Sequence, residues 1–137
     1  MTKKPVAIWV KEPFSKVVEL MKTYSIRHLP VVGDKNRLVG IITQRDLYRI
    51  ASPRKTMDED IIYDKVSLDR FILENVMTTE IAALHPDDTL GRLIDLMYRK
   101  KCGCIPVIDE NNYLLGIITH MDILRALAKD VAASVPK

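Results

Sequence analysis

The chain has 137 residues, of which 47% are hydrophobic and 28% charged, and its mean hydropathy is near zero. That supplies a core for one compact domain or two small ones, while no apolar run approaches the ~18 residues of a membrane span. The net charge of +3 divides unevenly, +4 over residues 1–75 and −1 over residues 76–137; the first half is friendlier to anions but lacks the dense basic patch of a nucleic-acid binder.

In chain order, the basic start Met1-Thr2-Lys3-Lys4 leads into a stretch too short and polar for a secretory signal, so a cytoplasmic location is expected. Val6–Val10 reads as a strand by length and β-branched content. Phe14, Val17, Val18, Met21 and Tyr24 then fall on one helical face, with Pro13 suited to the first turn. His28–Val32 and Arg37–Ile42, divided by Gly33-Asp34-Lys35-Asn36, predict a β-hairpin. Its proline should sit where the ladder does not need the missing N–H. A second helix is expected after Thr43. Ser52–Thr56 reads as a loop, whereas Ile61, Ile62, Val66, Leu68, Phe71, Ile72 and Leu73 are too apolar for a free linker and predict partly helical structure packed on its neighbours.

The remainder repeats the beginning. Leu38-Val39-Gly40-Ile41-Ile42-Thr43-Gln44-Arg45-Asp46 returns as Leu114-Leu115-Gly116-Ile117-Ile118-Thr119-His120-Met121-Asp122, and Pro30-Val31 returns as Pro106-Val107, always 76 residues on. Met1-Thr2 matches Met77-Thr78 in the same register. Such a block is one supersecondary unit used twice. The second copy opens on Ile81–Leu84 as a strand. A helix carrying Leu90, Leu93, Ile94 and Met97 on one face follows, with Asp87 or Asp88 as N-cap. Then come the runs Cys104–Ile108 and Tyr113–Ile118 around Asp109-Glu110-Asn111-Asn112, and a closing helix after Thr119. Each unit is β-α-β-β-α, and the fold class is α/β (α+β).

Thr43-x-x-Asp46 and Thr119-x-x-Asp122 both follow a strand and open a helix. One reading is a capping box with an acidic first turn. The same geometry can serve as an anion and hydroxyl site: helix N–H groups and a threonine hydroxyl face phosphate, and an aspartate accepts from ribose hydroxyls. Cys102-Gly103-Cys104 has C-x-C spacing with no second pair for zinc; it reads as buried small hydrophobes, with a redox or copper role as the alternative. No nucleophile with a paired base, Gly-rich phosphate loop or metal-spaced cluster is visible, so no enzymatic activity is expected.

With Met77-Thr78, the Pro86-Asp87-Asp88-Thr89-Leu90 helix entry, the two Pro-Val strands and the two Gly-Ile-Ile-Thr-x-x-Asp endings in order, the chain resembles a tandem CBS-domain pair, or Bateman module. The resemblance implies two repeats packed with pseudo-two-fold symmetry: residues 1–51, a connecting segment 52–76, residues 77–130, and a tail 131–137. It further implies a regulatory module sensing an adenosine nucleotide (AMP, ADP, ATP or S-adenosylmethionine, with AMP or ATP foremost) in the cleft between repeats. In such a site Thr and Asp hold phosphate and ribose. By position, the first site would use Thr43 and Asp46 with Ile26, Arg27 and His28, and Arg45 adding charge. The second would use Thr119 and Asp122 with Cys102, Gly103 and Cys104, and His120 alongside. Val6 and Ala82 would line the adenine slots. Arg27 and Arg45 read equally as solvated surface charge, and His28 also as a core-edge histidine. The more basic first site should bind the more highly charged ligand more tightly. The resemblance also implies a homodimer paired through the helices, with Met21, Met97, Tyr24 and Tyr98 as candidate contact area, and an effector protein. The alternative is a dimerisation or docking module that binds no nucleotide. Arg99-Lys100-Lys101 with Lys3-Lys4 makes only a modest basic edge; a cationic helix end is explained by the dipole, so neither nucleic acid nor membrane is an expected partner.

Overall fold

The computed structural model describes residues 2–51, 54–55, 57, 61–62 and 64–134. The expected loop positions Ser52, Pro53 and Thr56, Met1 of the repeat register, and residues 135–137 of the tail lie outside the described residues. So do the side chains of Ile61 and Ile62. The elements form two compact units, Val6–Ile81 and Met1–Pro5 with Ala82–Lys137.

The chain starts with β1 (Thr2–Lys3). The Val6–Ile81 unit then holds β2 (Ile8–Trp9), α1 (Ser15–Tyr24), β3 (His28–Val32), β4 (Leu38–Thr43) and α2 (Gln44–Ile50). A two-stranded ribbon of β5 (Arg54–Lys55) and β6 (Ile61–Ile62) follows, then the short helices α3 (Lys65–Leu68) and α4 (Leu73–Val76). In the other unit come α5 (Leu90–Lys100), β7 (Cys104–Ile108), β8 (Leu114–Thr119) and α6 (His120–Ser134).

Each unit centres on a hairpin with the same register. His28 faces Thr43 and Pro30 faces Ile41; 76 residues on, Cys104 faces Thr119 and Pro106 faces Ile117. The Gln44 N–H donates to the Arg27 carbonyl at 2.9 Å, and the His120 N–H to the Gly103 carbonyl at 3.0 Å. These bonds make His28–Thr43 and Cys104–Thr119 non-hydrogen-bonded pairs, and by alternation the two proline pairs also. The expectation for the prolines holds: neither antiparallel ladder calls on the missing N–H.

The nitrogen of each proline instead faces the opening strand, and this shortens that strand. In place of Val6–Val10, only Ile8 and Trp9 pair with β3, in parallel. In place of Ile81–Leu84, only Leu84 bridges Val107; its N–H donates to the Pro106 carbonyl at 3.0 Å and its carbonyl accepts from the Ile108 N–H at 2.8 Å. One step earlier the parallel ladder would need a donor at Pro30 or Pro106, and there is none. Ala82-Ala83 also has weak strand preference.

The third pairing partner in each sheet comes from the segment that leads into the opposite sequence repeat. Thr2 and Lys3 pair with Ile117 and Gly116 of β8. Their counterpart Thr78 exchanges two hydrogen bonds with Ile41, at 3.0 and 2.9 Å. The repeat extends to strained backbone: Ser25 and Lys101 end α1 and α5 in the left-handed conformation (φ 53° and 52°), and the next N–H, of Ile26 or Cys102, donates back to Met21 or Met97.

The core of the Val6–Ile81 unit joins Ile8, Phe14, Val17, Met21, Leu29, Val31, Ile42 and Leu47 to Leu68 and Leu73 of α3 and α4. Val66 and Ile72, expected to pack, are exposed. In the other unit Leu84, Leu93 and Ile105 form a buried cluster, and Cys104, Val107, Leu114 and Ile117 are buried as well. Leu90 and Ile94, expected on the inward face of α5, are exposed. Tyr24 and Tyr98 are exposed, but Met21 is buried and belongs to the core. The N-cap of α5 is Thr89, not Asp87 or Asp88: its hydroxyl accepts from the Arg92 N–H at 3.1 Å, while Asp88 is drawn back to the His85 N–H at 2.7 Å. Pro13 precedes the N-cap of α1, Phe14, and its carbonyl accepts from the Lys16 N–H at 3.0 Å.

Gly40, opposite Val31 in the ladder, is crossed by the Met77 side chain; a Cβ there would lie 2.7 Å from Met77 Cγ and 3.1 Å from its Cβ. Gly40→Ala should therefore cost about 1–3 kcal/mol, read by urea unfolding. The double variant with Met77→Ala should recover part of that loss; equal losses in both would discount the contact.

Candidate functional site

The two Thr-x-x-Asp turns sit where a hairpin strand runs directly into a helix. In the first, Thr43 is extended (φ −112°, ψ 164°) and Asp46 is the third helical residue. The Asp46 N–H donates to Thr43 Oγ1 at 3.2 Å, and Asp46 Oδ2 accepts from the Thr43 N–H at 2.9 Å, a complete capping box. The Thr43 hydroxyl also lies 3.2 Å from Oδ2, and Arg49 Nη2 donates to Oδ1. Asp46 is thereby buried with both oxygens engaged; its side chain is 8% exposed.

The second turn is looser. Asp122 Oδ2 accepts from the Thr119 N–H at 2.9 Å and lies 3.4 Å from the Thr119 hydroxyl. Arg125 Nη1 stands 3.6 Å from Oδ1, and the Asp122 side chain is 20% exposed. Arg49 and Arg125 were missed by the motif reading. They occupy equivalent positions 76 residues apart, so extending the repeat by one helical turn, to Thr-x-x-Asp-x-x-Arg, would have found them.

The loop before each hairpin is tied to the same turn. The Arg27–Gln44 and Gly103–His120 backbone bonds hold Arg27-His28 beside Thr43 and Gly103-Cys104 beside Thr119, and cross-strand pairing puts His28 opposite Thr43 and Cys104 opposite Thr119. His120 Nδ1 lies 3.2 Å from the Gly103 carbonyl. Arg27 and Arg45 project into solvent and His28 is half-buried. Ile26 and Val6 are half-buried and pack on the core of their unit; Ala82 is half-buried. Cys102 is half-buried and packs on Leu84, Leu93 and Ile105. Burial, and then the neighbouring Cys102 and Asp122, push the Cys104 thiol up to about 12. Cys104 is therefore a neutral thiol at physiological pH, which favours the small-hydrophobe reading. Among the described residues, no group of three or more His, Cys, Asp or Glu side chains is arranged to hold a metal ion, and no helix is long and apolar enough to cross a membrane.

Residues 1–52 and 73–129 match the CBS domain family model, and the chain belongs to that family as a tandem pair. It is 34% identical to inosine-5′-monophosphate dehydrogenase of Methanocaldococcus jannaschii over 110 residues, covering 80% of this chain and 19% of that enzyme. The chain spans 19–24% of the length of the first curated relatives it matches. Two solved structures share the fold. The CBS domain pair of protein MJ0100, in complex with 5′-methylthioadenosine and S-adenosyl-L-methionine, superimposes with a TM-score of 0.77 at 22% identity, covering 95% of this chain and 93% of that one. CBSX2 in complex with AMP does so at 0.76 and 20% identity, covering 94% and 92%.

The raised thiol predicts a pH dependence. A thiol that ionises near 9 in the unfolded chain but near 12 in the native one favours the native state fully below pH 9, and that contribution is lost as pH rises toward 12. With Cys102→Ala in place, iodoacetamide at pH 8 should label native Cys104 at least ~100-fold more slowly than the urea-unfolded protein, as the smaller thiolate fraction requires. Comparable rates would contradict the burial.

Proposed function

We propose that the chain is a regulatory module that binds an adenosine nucleotide at its two Thr-x-x-Asp turns and has no enzymatic activity of its own. The observation that carries this is the doubled junction itself: in each unit a threonine hydroxyl, an aspartate and the preceding loop are held together at the start of a helix by the same backbone bond. Adenosine is the moiety common to the methylthioadenosine, S-adenosylmethionine and AMP carried by the two structural neighbours. Aspartate accepts from the ribose hydroxyls and threonine donates to phosphate. The binding repeats run over residues 1–51 and 77–130, joined by 52–76.

The turns differ in charge. Arg27, His28 and Arg45 suit a ligand carrying phosphate at the first; Cys102, Gly103, Cys104 and His120 suit a less anionic one at the second. The exposed apolar side chains Met121, Leu124, Leu127 and Val131 of α6 support association of the module with a second copy, by which occupancy would be signalled. That same stripe favours the alternative of a docking module without nucleotide. A cytoplasmic setting accords with two free thiols.

Thermal unfolding with AMP, ADP, ATP and S-adenosylmethionine tests the reading. A ligand at ~100 times its dissociation constant adds about 2.7 kcal/mol, a rise of several degrees for a chain of this length. Asp46→Asn and Asp122→Asn keep the size of the cap and should each remove the part of the shift owed to its own turn. Loss of AMP affinity should be larger for Asp46→Asn than for Asp122→Asn. No shift with any of the four returns both turns to helix caps.

A further inference from the structure

The two repeats correspond residue for residue, yet the entries to their first helices have different surroundings. In the Val6–Ile81 unit, Phe14 is 0% exposed. Phe71 meets its ring edge-on with centroids 6.4 Å apart, and Leu68 and Leu73, from α3 and α4, share its cluster. Two polar contacts fasten that covering segment. Asp69 Oδ1 accepts from the Ser15 N–H at 2.9 Å, and Lys11 Nζ lies 3.4 Å from Glu74 Oε1.

Seventy-six residues on, the counterparts are Leu90 for Phe14, Gly91 for Ser15, Ile94 for Val18 and Asp87 for Lys11. Among the described residues, nothing holds on α5 the place that α3 and α4 hold on α1. Leu90 is 58% exposed and Ile94 44%. Thr89 and Arg92 close the first turn of α5, but among the described residues no carboxylate contact to Gly91 corresponds to that of Asp69 with Ser15. The concavity beside this entry is lined by His85, Pro86, Asp87, Asp109, Glu110 and Asn111, so its charged side chains are acidic where Lys11 is basic.

We propose that the entry of α5 is a docking surface for a short amphipathic helical segment of a partner protein, with the chemistry that Lys65–Val76 presents to α1. The segment places leucine and phenylalanine side chains on Leu90 and Ile94. It offers a carboxylate to the Gly91 N–H. It differs from the internal segment at one position: opposite Asp87, Asp109 and Glu110 it carries lysine or arginine in place of Glu74. The internal repeat specifies the occupant because the same helix entry is seen covered in one unit and bare in the other. This surface operates whether or not the Thr-x-x-Asp turns bind nucleotide.

The test is an NMR titration of the full chain with a synthetic peptide of residues 64–78 carrying Glu74→Lys. Saturable shifts centred on Leu90, Gly91 and Ile94 are expected. The unsubstituted peptide should bind about two- to five-fold more weakly, the range of one exposed charge pair. Asp87→Lys should reverse that order. Leu90→Asp, at an exposed position, should abolish the shifts with an unchanged melting temperature. Absence of shifts at α5 with millimolar peptide would overturn the proposal, as would shifts that survive Leu90→Asp. Self-association that Leu90→Asp abolishes would assign the face to a second copy instead.

Discussion

Each unit depends on the junction at which a hairpin strand turns without a linker into a helix. A strand ending directly in a helix leaves the first helical N–H groups without backbone partners. Here three of them are absorbed locally: the loop carbonyl of Arg27 takes the Gln44 N–H, Thr43 Oγ1 takes the Asp46 N–H, and Asp46 Oδ2 takes the Thr43 N–H. The cap therefore does more than end a strand. It fixes the preceding loop against the hairpin and sets the positions of threonine and aspartate relative to both. A capping box and a ligand site are alternative uses of one geometry, and the same hydrogen bonds that stabilise the fold organise the groups that would meet a ribose phosphate.

The prolines impose the second constraint. Pro30 and Pro106 pair with isoleucines at positions where the antiparallel ladder asks nothing of the nitrogen. Their cost falls on the other side, where the opening strand is cut to two residues in one unit and one in the other. The sheets then take their remaining partners, β1 and Thr78, from the segments leading into the opposite repeats. Chain connectivity is thereby interleaved, even though the hydrogen bonds of each sheet stay within a compact unit.

Equivalent positions in the two repeats are not equally buried. Val17 and Leu93 are equivalent and both buried, whereas Phe14 is enclosed and Leu90 is not. The difference lies in Leu68, Phe71 and Leu73, more than fifty residues from Phe14 in the chain. Leu68 and Leu73 belong to the same buried cluster as Phe14. The two turns differ in the same spirit: Arg49 grips Asp46, while Arg125 stands off from Asp122.

From the sequence alone came the repeat, the hairpins, the closing helices and the two Thr-x-x-Asp turns, because each is governed by residues within a few positions of one another: turn formers between apolar runs, and a capping pair three residues apart. Long-range contacts decided the rest. The length of the opening strands depended on which way a proline nitrogen faces in a ladder, and the N-cap of α5 on Asp88 being drawn to His85. The inward face of α5 could not be read from periodicity, since Leu90 and Ile94 keep helical spacing with Leu93 but stay exposed among the described residues. Periodicity reports which residues share a face; only the tertiary structure supplies, or withholds, the surface that buries it.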